Sequence, residues 1–270
     1  VEPVHVGGAG TPMVLLHGAT SSWRAWRPVL PALERHHHHV VAPTLAGHRG
    51  GPVLSVAPEK VVPAIVDAVE VALDEAGIDR AHLVGNSLGG WVALELARRG
   101  RSRSVVALSP AGAWATPADL DRLLRLFRIG GRIGRLPGTG AVLRPRAVRR
   151  LLLRAVSEHP EVLSQADVGE LVEDLAGCAV LADLLAGAPD SGGLAPFTPE
   201  GPVMIAWGER DRILPFPRYG RPMVEAVRGA QLVRVPGVGH VPMADAPALV
   251  SSLITRFTAR VDRDAVPAEH

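Results

Sequence analysis

Ser87, Asp211 and His240 are the residues with which this chain could do covalent chemistry, and they occur in that order. A serine hydroxyl is a weak nucleophile near neutral pH and needs a base, itself held by an acid. Ser87 stands in Gly85-Asn86-Ser87-Leu88-Gly89, a G-x-S-x-G pattern between an apolar run at 81–84 and a helical pattern at 90–99. In a strand–turn–helix setting this motif puts the serine on a sharp turn, its oxygen near the N–H groups that open the helix. The two glycines remove Cβ atoms that would collide as strand and helix close together. Asp211 follows an apolar run at 202–207, in Trp207-Gly208-Glu209-Arg210-Asp211. Glu209 is the rival carboxylate; Asp211 is favoured because the chain re-enters apolar packing directly after it. His240 follows the run at 231–235 and is set between Gly239 and Val241-Pro242. Attack on a carbonyl also needs two N–H donors for the developing oxyanion. The expected donors are Leu88, next to the serine, and Ala19, in the His17-Gly18-Ala19 loop after the run at 12–16. His17 is expected to brace that loop.

Bringing these groups together takes a sheet. The apolar runs at 12–16, 40–42, 81–84, 104–108, 202–207 and 231–235 read as strands, and a shorter one precedes them at 3–6. Helical patterns at 23–35, 58–76, 90–99, 218–227 and 246–258 lie between or after them. This alternation predicts an α/β fold, a mostly parallel twisted sheet with helices on both faces. Sites in such sheets lie beyond the carboxyl ends of the strands, which puts Ser87, Asp211 and His240 on one edge.

From 112 to 197 the strand signal stops, and helical patterns at 119–128, 145–156 and 166–185 predict a helical cap. The cap is expected as an insertion into a core formed by 1–111 and 198–270. In its second helix Val148, Leu151, Leu152 and Val156 predict an inward apolar face, with Arg146, Arg150 and Arg154 turned outward. Such a face suits water, an anionic substrate or a membrane surface. Trp23, Trp26 and Trp114, with His48, are expected near a substrate, and Trp91 and Trp207 in the core. The run His36–His39 reads as an incidental surface feature, because four adjacent histidines cannot all point one way.

Composition narrows the class. Of 270 residues, 47% are hydrophobic and 21% charged, as in a soluble globular protein. A formal charge of +2 is too small to argue for nucleic acid. With Cys178 as the single cysteine no internal disulfide can form. No run has the apolar length of a membrane span, and the first residues lack the pattern of a secretory leader. A cytoplasmic enzyme is expected, working on a small molecule without metal or cofactor, with a homodimer possible.

The ordered set L-L-H-G-A at 15–19, G-N-S-L-G-G-W at 85–91, W-G-E-R-D-R-I-L-P at 207–215 and G-V-G-H-V-P-M at 237–243 resembles the α/β-hydrolase fold family over nearly the whole chain. The resemblance implies Ser87 as nucleophile, Asp211 as acid, His240 as base, and the Ala19 and Leu88 amides as the oxyanion hole. Haloalkane dehalogenase-like and epoxide hydrolase-like members carry an aspartate where this chain has Ser87. Hydrolases of meta-cleavage products often share the G-N-S-x-G-G elbow and the W-G-x-x-D-R segment. They usually also have an H-G-x-G-P-G loop, and here the chain reads His17-Gly18-Ala19-Thr20-Ser21-Ser22. The expected activity is therefore an esterase- or lipase-like cleavage of a carboxylic ester with a small to medium apolar substrate. C–C bond hydrolysis is the alternative, hydroxynitrile lyase and perhydrolase relatives share the triad, and a non-catalytic binding member of the fold stands behind them.

Overall fold

The computed structural model describes residues 2–265. Seven strands form one sheet: β1 (Val4–Gly7), β2 (Thr11–Leu16), β3 (His38–Pro43), β4 (Ala81–Asn86), β5 (Ser102–Leu108), β6 (Val203–Gly208) and β7 (Gln231–Val235). Their order is β1-β3-β2-β4-β5-β6-β7. Only β1 runs antiparallel to its neighbour; every other pair is parallel. The expected α/β architecture is present. One detail differs from a simple N-terminal hairpin: β1 pairs with β3 and not with β2. Gly8 and Gly10, both at positive φ, pass against the carbonyls of His38 and His37 and leave room for β3 between the two strands.

Eleven α-helices accompany the sheet among the described residues. They are α1 (Leu30–Arg35), α2 (Val61–Glu75), α3 (Leu88–Arg98), α4 (Pro117–Gly134), α5 (Thr139–Val142), α6 (Arg146–Leu152), α7 (Gln165–Ala176), α8 (Leu181–Gly187), α9 (Phe216–Ala226), α10 (Pro242–Asp245) and α11 (Pro247–Ala265). The alternation of side chains along each strand divides the core in two. Val14, Leu16 and Leu83 pack with α2 and α3, whereas Met13, Leu15 and Val84 pack with α1 and α11. All six residues of β4 are buried, as a strand covered on both faces requires.

Two long helical patterns are divided. Pro28 and Pro31 split 23–35 into a 3-10 turn at Trp23–Trp26 and the short α1. Gly177 separates α7 from α8, with the buried Cys178 between them. Between β5 and β6 the regular elements are α4 to α8 and a 3-10 turn at Pro160–Val162. In α6 the expected faces hold only in part: Arg146, Arg150 and Arg154 are exposed as expected and Val148 and Val156 are half-buried, but Leu151 and Leu152, expected inward, are 77% and 54% exposed, and Arg149 is buried instead. The Arg149 guanidinium donates to the carbonyls of Leu143, Arg144 and Glu161. It closes the chain ends around α6, which hydrophobic spacing alone cannot register.

Candidate active site

Parallel register aligns the carboxyl ends of the strands. Leu16 sits opposite Gly85, Asn86 opposite Leu108, and Gly208 opposite Val235. The loops that follow, carrying Ala19, Ser87, Asp211 and His240, therefore share one edge of the sheet.

Ser87 links β4 to α3 with φ 55° and ψ −116°, a backbone conformation few residues adopt. Its N–H donates to Leu108 O at 3.0 Å, and its carbonyl accepts from Trp91 and Ala111 N–H groups. The neighbouring glycines are required by contact. A Cβ on Gly85 would lie 2.1 Å from Gly89 O, and one on Gly89 would lie 2.0 Å from Leu16 O. Gly18 also abuts the serine, since a Cβ there would stand 3.2 Å from Ser87 Cβ. The loop bearing Ala19 thus packs directly against the elbow. Neither the Ala19 nor the Leu88 N–H has an acceptor within the protein among the described residues.

Asp211 is buried, and both its oxygens are engaged. Oδ1 accepts from the N–H groups of Ile213 at 2.9 Å and Leu214 at 2.7 Å. Oδ2 accepts from His240 Nδ1 at 2.8 Å. That bond places the second His240 nitrogen, Nε2, as the one free to take a proton. Glu209, the rival carboxylate, is exposed. The Ser87 hydroxyl makes no hydrogen bond to His240 among the described residues; such contacts commonly tighten only with substrate in place. Asn86 joins the two loops instead. Its side-chain amide donates to Leu108 O at 3.1 Å and to His240 O at 2.9 Å, so the residue before the serine holds the backbone of the histidine.

Asp245 joins the histidine loop to the helical segment. Its carboxylate accepts from Gly239 N at 2.7 Å, immediately before His240, and from Ser157 Oγ and the N–H groups of Glu158 and His159. Glu158 in turn pairs with Arg210 and Arg212, the residues on either side of Asp211. The hydrogen bond from Arg212, helped by that from Arg210, holds the Glu158 carboxyl down at about 2 against the opposing effect of burial. The chain between β5 and β6 therefore grips both the loop of the carboxylate and the loop of the histidine. Neither Asn86 nor Asp245 was evident from sequence, because their partners lie in other loops and no local pattern marks them.

Ser87, Leu88 and Ala19 line a cavity whose remaining wall is almost wholly apolar, including Trp91, Trp114, Leu124 and Phe127; Ser191 and Glu59 are its other polar residues. Asp211 and His240 are not among its wall residues. Trp114 stands where a pocket residue was expected, and Trp91, expected in the core, also reaches the cavity. Trp23 does not: it stacks on His5 and donates to Glu2 O, drawn away by the N-terminal strand. Trp26 is fully buried on the other side of the sheet. His48 is buried too, edge-on to His17 with Nδ1 donating to Ala46 O, and supports the loop from below instead of lining the cavity. His17 donates from Nδ1 to Gly18 O and accepts at Nε2 from Leu45 N–H. It is a brace between two loops.

One histidine cluster has the makings of a metal site. Ligand atoms of His38, His82 and Asp262 lie within 4.8 Å of one another. His38, expected on the surface, is buried at the start of β3. However, His82 Nε2 already donates to Asp262 Oδ1, Arg103 approaches the same oxygen at 3.3 Å, and His38 Nε2 donates to Thr258 Oγ1. A guanidinium on the shared carboxylate opposes a cation there. The cluster works as a polar clamp between the sheet and α11.

These histidines set an acid limit. Burial is the main cause that lowers the pKa of His48 and His82 from 6.5 to about 4, and that lowers those of His17 and His38 as well. The unfolded chain takes up these protons near pH 6.5; the folded chain takes up those of His48 and His82 only near 4, and those of His17 and His38 below 6.5. Stability from this source is therefore complete above pH 6.5 and is lost as pH falls toward 4. His48 and His82 should each cost about 3 kcal/mol by pH 4. Urea unfolding between pH 7.5 and 4.5 checks this; a flat midpoint across that interval contradicts it.

Comparison with known proteins places the chain among hydrolases. The model of the alpha/beta hydrolase family matches residues 13–253. The chain is similar to "Epoxide hydrolase EphH" of Mycobacterium tuberculosis, 37% identical over 202 residues, covering 72% of this chain and 92% of that protein. Among solved structures it shares its fold with 2-hydroxy-6-oxo-6-phenylhexa-2,4-dienoate hydrolase from Rhodococcus sp. strain RHA1, at a TM-score of 0.75 and 23% identity, covering 95% and 94% of the two chains. A thermophilic esterase from Thermogutta terrifontis gives a TM-score of 0.72 at 21% identity, covering 96% and 93%.

Proposed function

The chain belongs to the alpha/beta hydrolase family, and from that premise we propose that it is a serine esterase for a carboxylic ester with small to medium apolar groups. The observation that carries the reading is Ser87 at the strained elbow, on the wall of an apolar cavity and tied through Asn86 to the loop in which His240 donates to Asp211. In this mechanism Ser87 Oγ attacks the ester carbonyl and His240 Nε2 takes its proton. The Ala19 and Leu88 N–H groups stabilise the oxyanion. The alcohol leaves with the proton from His240, and water, activated by the same histidine, then frees the acid. The helical segment 112–197 acts as a cap whose α4 and α8 supply much of the cavity wall.

The similarity to a protein named as an epoxide hydrolase does not extend naturally to this nucleophile. Attack of a serine on an epoxide carbon leaves an alkyl ether, which water does not cleave under these conditions, so turnover would stop after one cycle. An acyl-serine is an ester and does turn over. Tyr219, the only tyrosine, donates to Asp119 O and is not a cavity residue, so it does not serve to protonate an epoxide oxygen. Cleavage of a C–C bond in a dienoate would favour a cationic partner for its carboxylate. The cavity wall has no arginine, lysine or histidine among the described residues.

A substrate panel tests the reading. p-Nitrophenyl butyrate should turn over and a fluorophosphonate should label the protein, while styrene oxide and a vinylogous 1,5-diketone acid should react at least about 100-fold more slowly. Absence of both ester turnover and labelling overturns the esterase reading and leaves a ligand-binding member of the fold. Preference for the diketone favours C–C hydrolysis.

A further inference from the structure

The outer side of the helical segment is unlike the rest of the surface. Leu126, Ile129 and Ile133 recur at 3 and 4 residues along α4, a single stripe turned away from the cavity. Ile129 and Ile133 are 58% and 55% exposed, and Leu136, Val142, Leu151 and Leu152, later in the same stretch, are exposed as well. Side chains hold the local ends in place. Thr139 Oγ1 donates to the carbonyls of Ile133 and Leu136 and holds the C-terminal end of α4, while Arg149 separately bonds the carbonyls around α6. The stripe is a built surface and not a frayed end.

Charge is gathered on the same stretch. Residues 117–155 hold ten arginines against Asp119 and Asp121, so the remainder of a chain of net charge +2 is acidic. Arg122, Arg125, Arg128, Arg132, Arg144, Arg146 and Arg150 have no carboxylate partner among the described residues, whereas arginines elsewhere, such as Arg24, Arg99 and Arg101, sit in ion pairs. Exposed aliphatic side chains interleaved with unpaired guanidinium groups match one surface chemistry: acyl chains beneath anionic headgroups. Nucleic acid would satisfy the arginines and leave the isoleucines and leucines against phosphate. No helix among the described residues is long and apolar enough to cross a membrane, so contact would be peripheral.

We propose that the outer face of α4 docks on an anionic lipid surface, with Leu126, Ile129 and Ile133 entering the acyl boundary and Arg122, Arg125 and Arg132 holding headgroups. The opposite face of α4 carries Leu123, Leu124 and Phe127 into the cavity beside Ser87. If the esterase reading holds, a lipid-dissolved ester would then pass around a single helix to reach the serine. Docking itself does not depend on that reading.

Co-sedimentation with sucrose-loaded vesicles tests it. The full chain should bind vesicles of 70% phosphatidylcholine and 30% phosphatidylglycerol at least about 10-fold more tightly than pure phosphatidylcholine, and 0.5 M salt should remove most of the difference. Leu126→Ser/Ile129→Ser/Ile133→Ser should weaken binding about 10-fold or more, with an unchanged circular dichroism spectrum because all three side chains are exposed. Ser87→Ala should bind like the parent, which separates docking from catalysis. Equal binding by parent and triple variant, or no binding to anionic vesicles, overturns the proposal. So does a dimer in light scattering that the triple variant abolishes, since the face would then belong to a second copy.

Discussion

Ser87→Ala is expected to lower the turnover of p-nitrophenyl butyrate by at least about 10⁴-fold and to abolish fluorophosphonate labelling. The loss is large because no other group is placed to replace the hydroxyl: the cavity's other polar wall residues, Ser191 and Glu59, lie outside the elbow. The fold should survive. Alanine is smaller than serine, and the strained backbone at φ 55° is imposed by bonds of the Ser87 N–H and carbonyl, which alanine keeps. Residual activity above the uncatalysed rate would report what the oxyanion donors and the cavity contribute without a nucleophile. A variant that keeps a tenth of the activity would mean that Ser87 is not the attacking group.

Asp211→Asn should cost about 10⁴-fold in kcat with little change in KM. Oδ1 accepts two backbone N–H groups and Oδ2 accepts one from the imidazole. An asparagine can offer its oxygen to only one side. Facing the Ile213 and Leu214 N–H groups with its oxygen, it presents its NH₂ to His240 Nδ1. The imidazole must then carry its proton on Nε2, where it cannot accept one from Ser87. Activity should recover partly at high pH, where hydroxide replaces the missing base. Glu209→Gln is the control: exposed and outside the network, it should leave kcat within about twofold. If the two substitutions behave alike, the role assigned to Asp211 fails.

The sheet was legible because its strands are short, apolar and punctuated by glycine, and because β4 and β6, buried along their whole length, leave no polar alternation to confuse the reading. The elbow was legible for a related reason. Gly85 and Gly89 are fixed by contacts within a strand–turn–helix unit, so their spacing survives as a local motif. The bond between Asp211 and His240 could be anticipated only through the order of strands. Local spacing failed where the deciding partner was remote or was a carbonyl. Asn86 meets His240 across 154 positions, and Asp245 meets Ser157 across 88. His38 is buried by α11, from the far end of the chain. Arg149 follows the helical period of a surface residue, yet it turns inward because three backbone carbonyls need donors there.

The grip of Asp245 and Glu158 on the two site loops has an evolutionary consequence. The helical segment is not a module that can be exchanged between relatives by cutting at its ends. Such a graft would remove Ser157 and Glu158, and with them the anchors beside His240 and Asp211. The residues of α4 and α8 on the cavity wall are apolar and take no part in that grip. The short stretch around 157–158 is bonded to the loops of Asp211 and His240, so the boundary between what is tied to the core and what only faces the cavity runs through the middle of the segment.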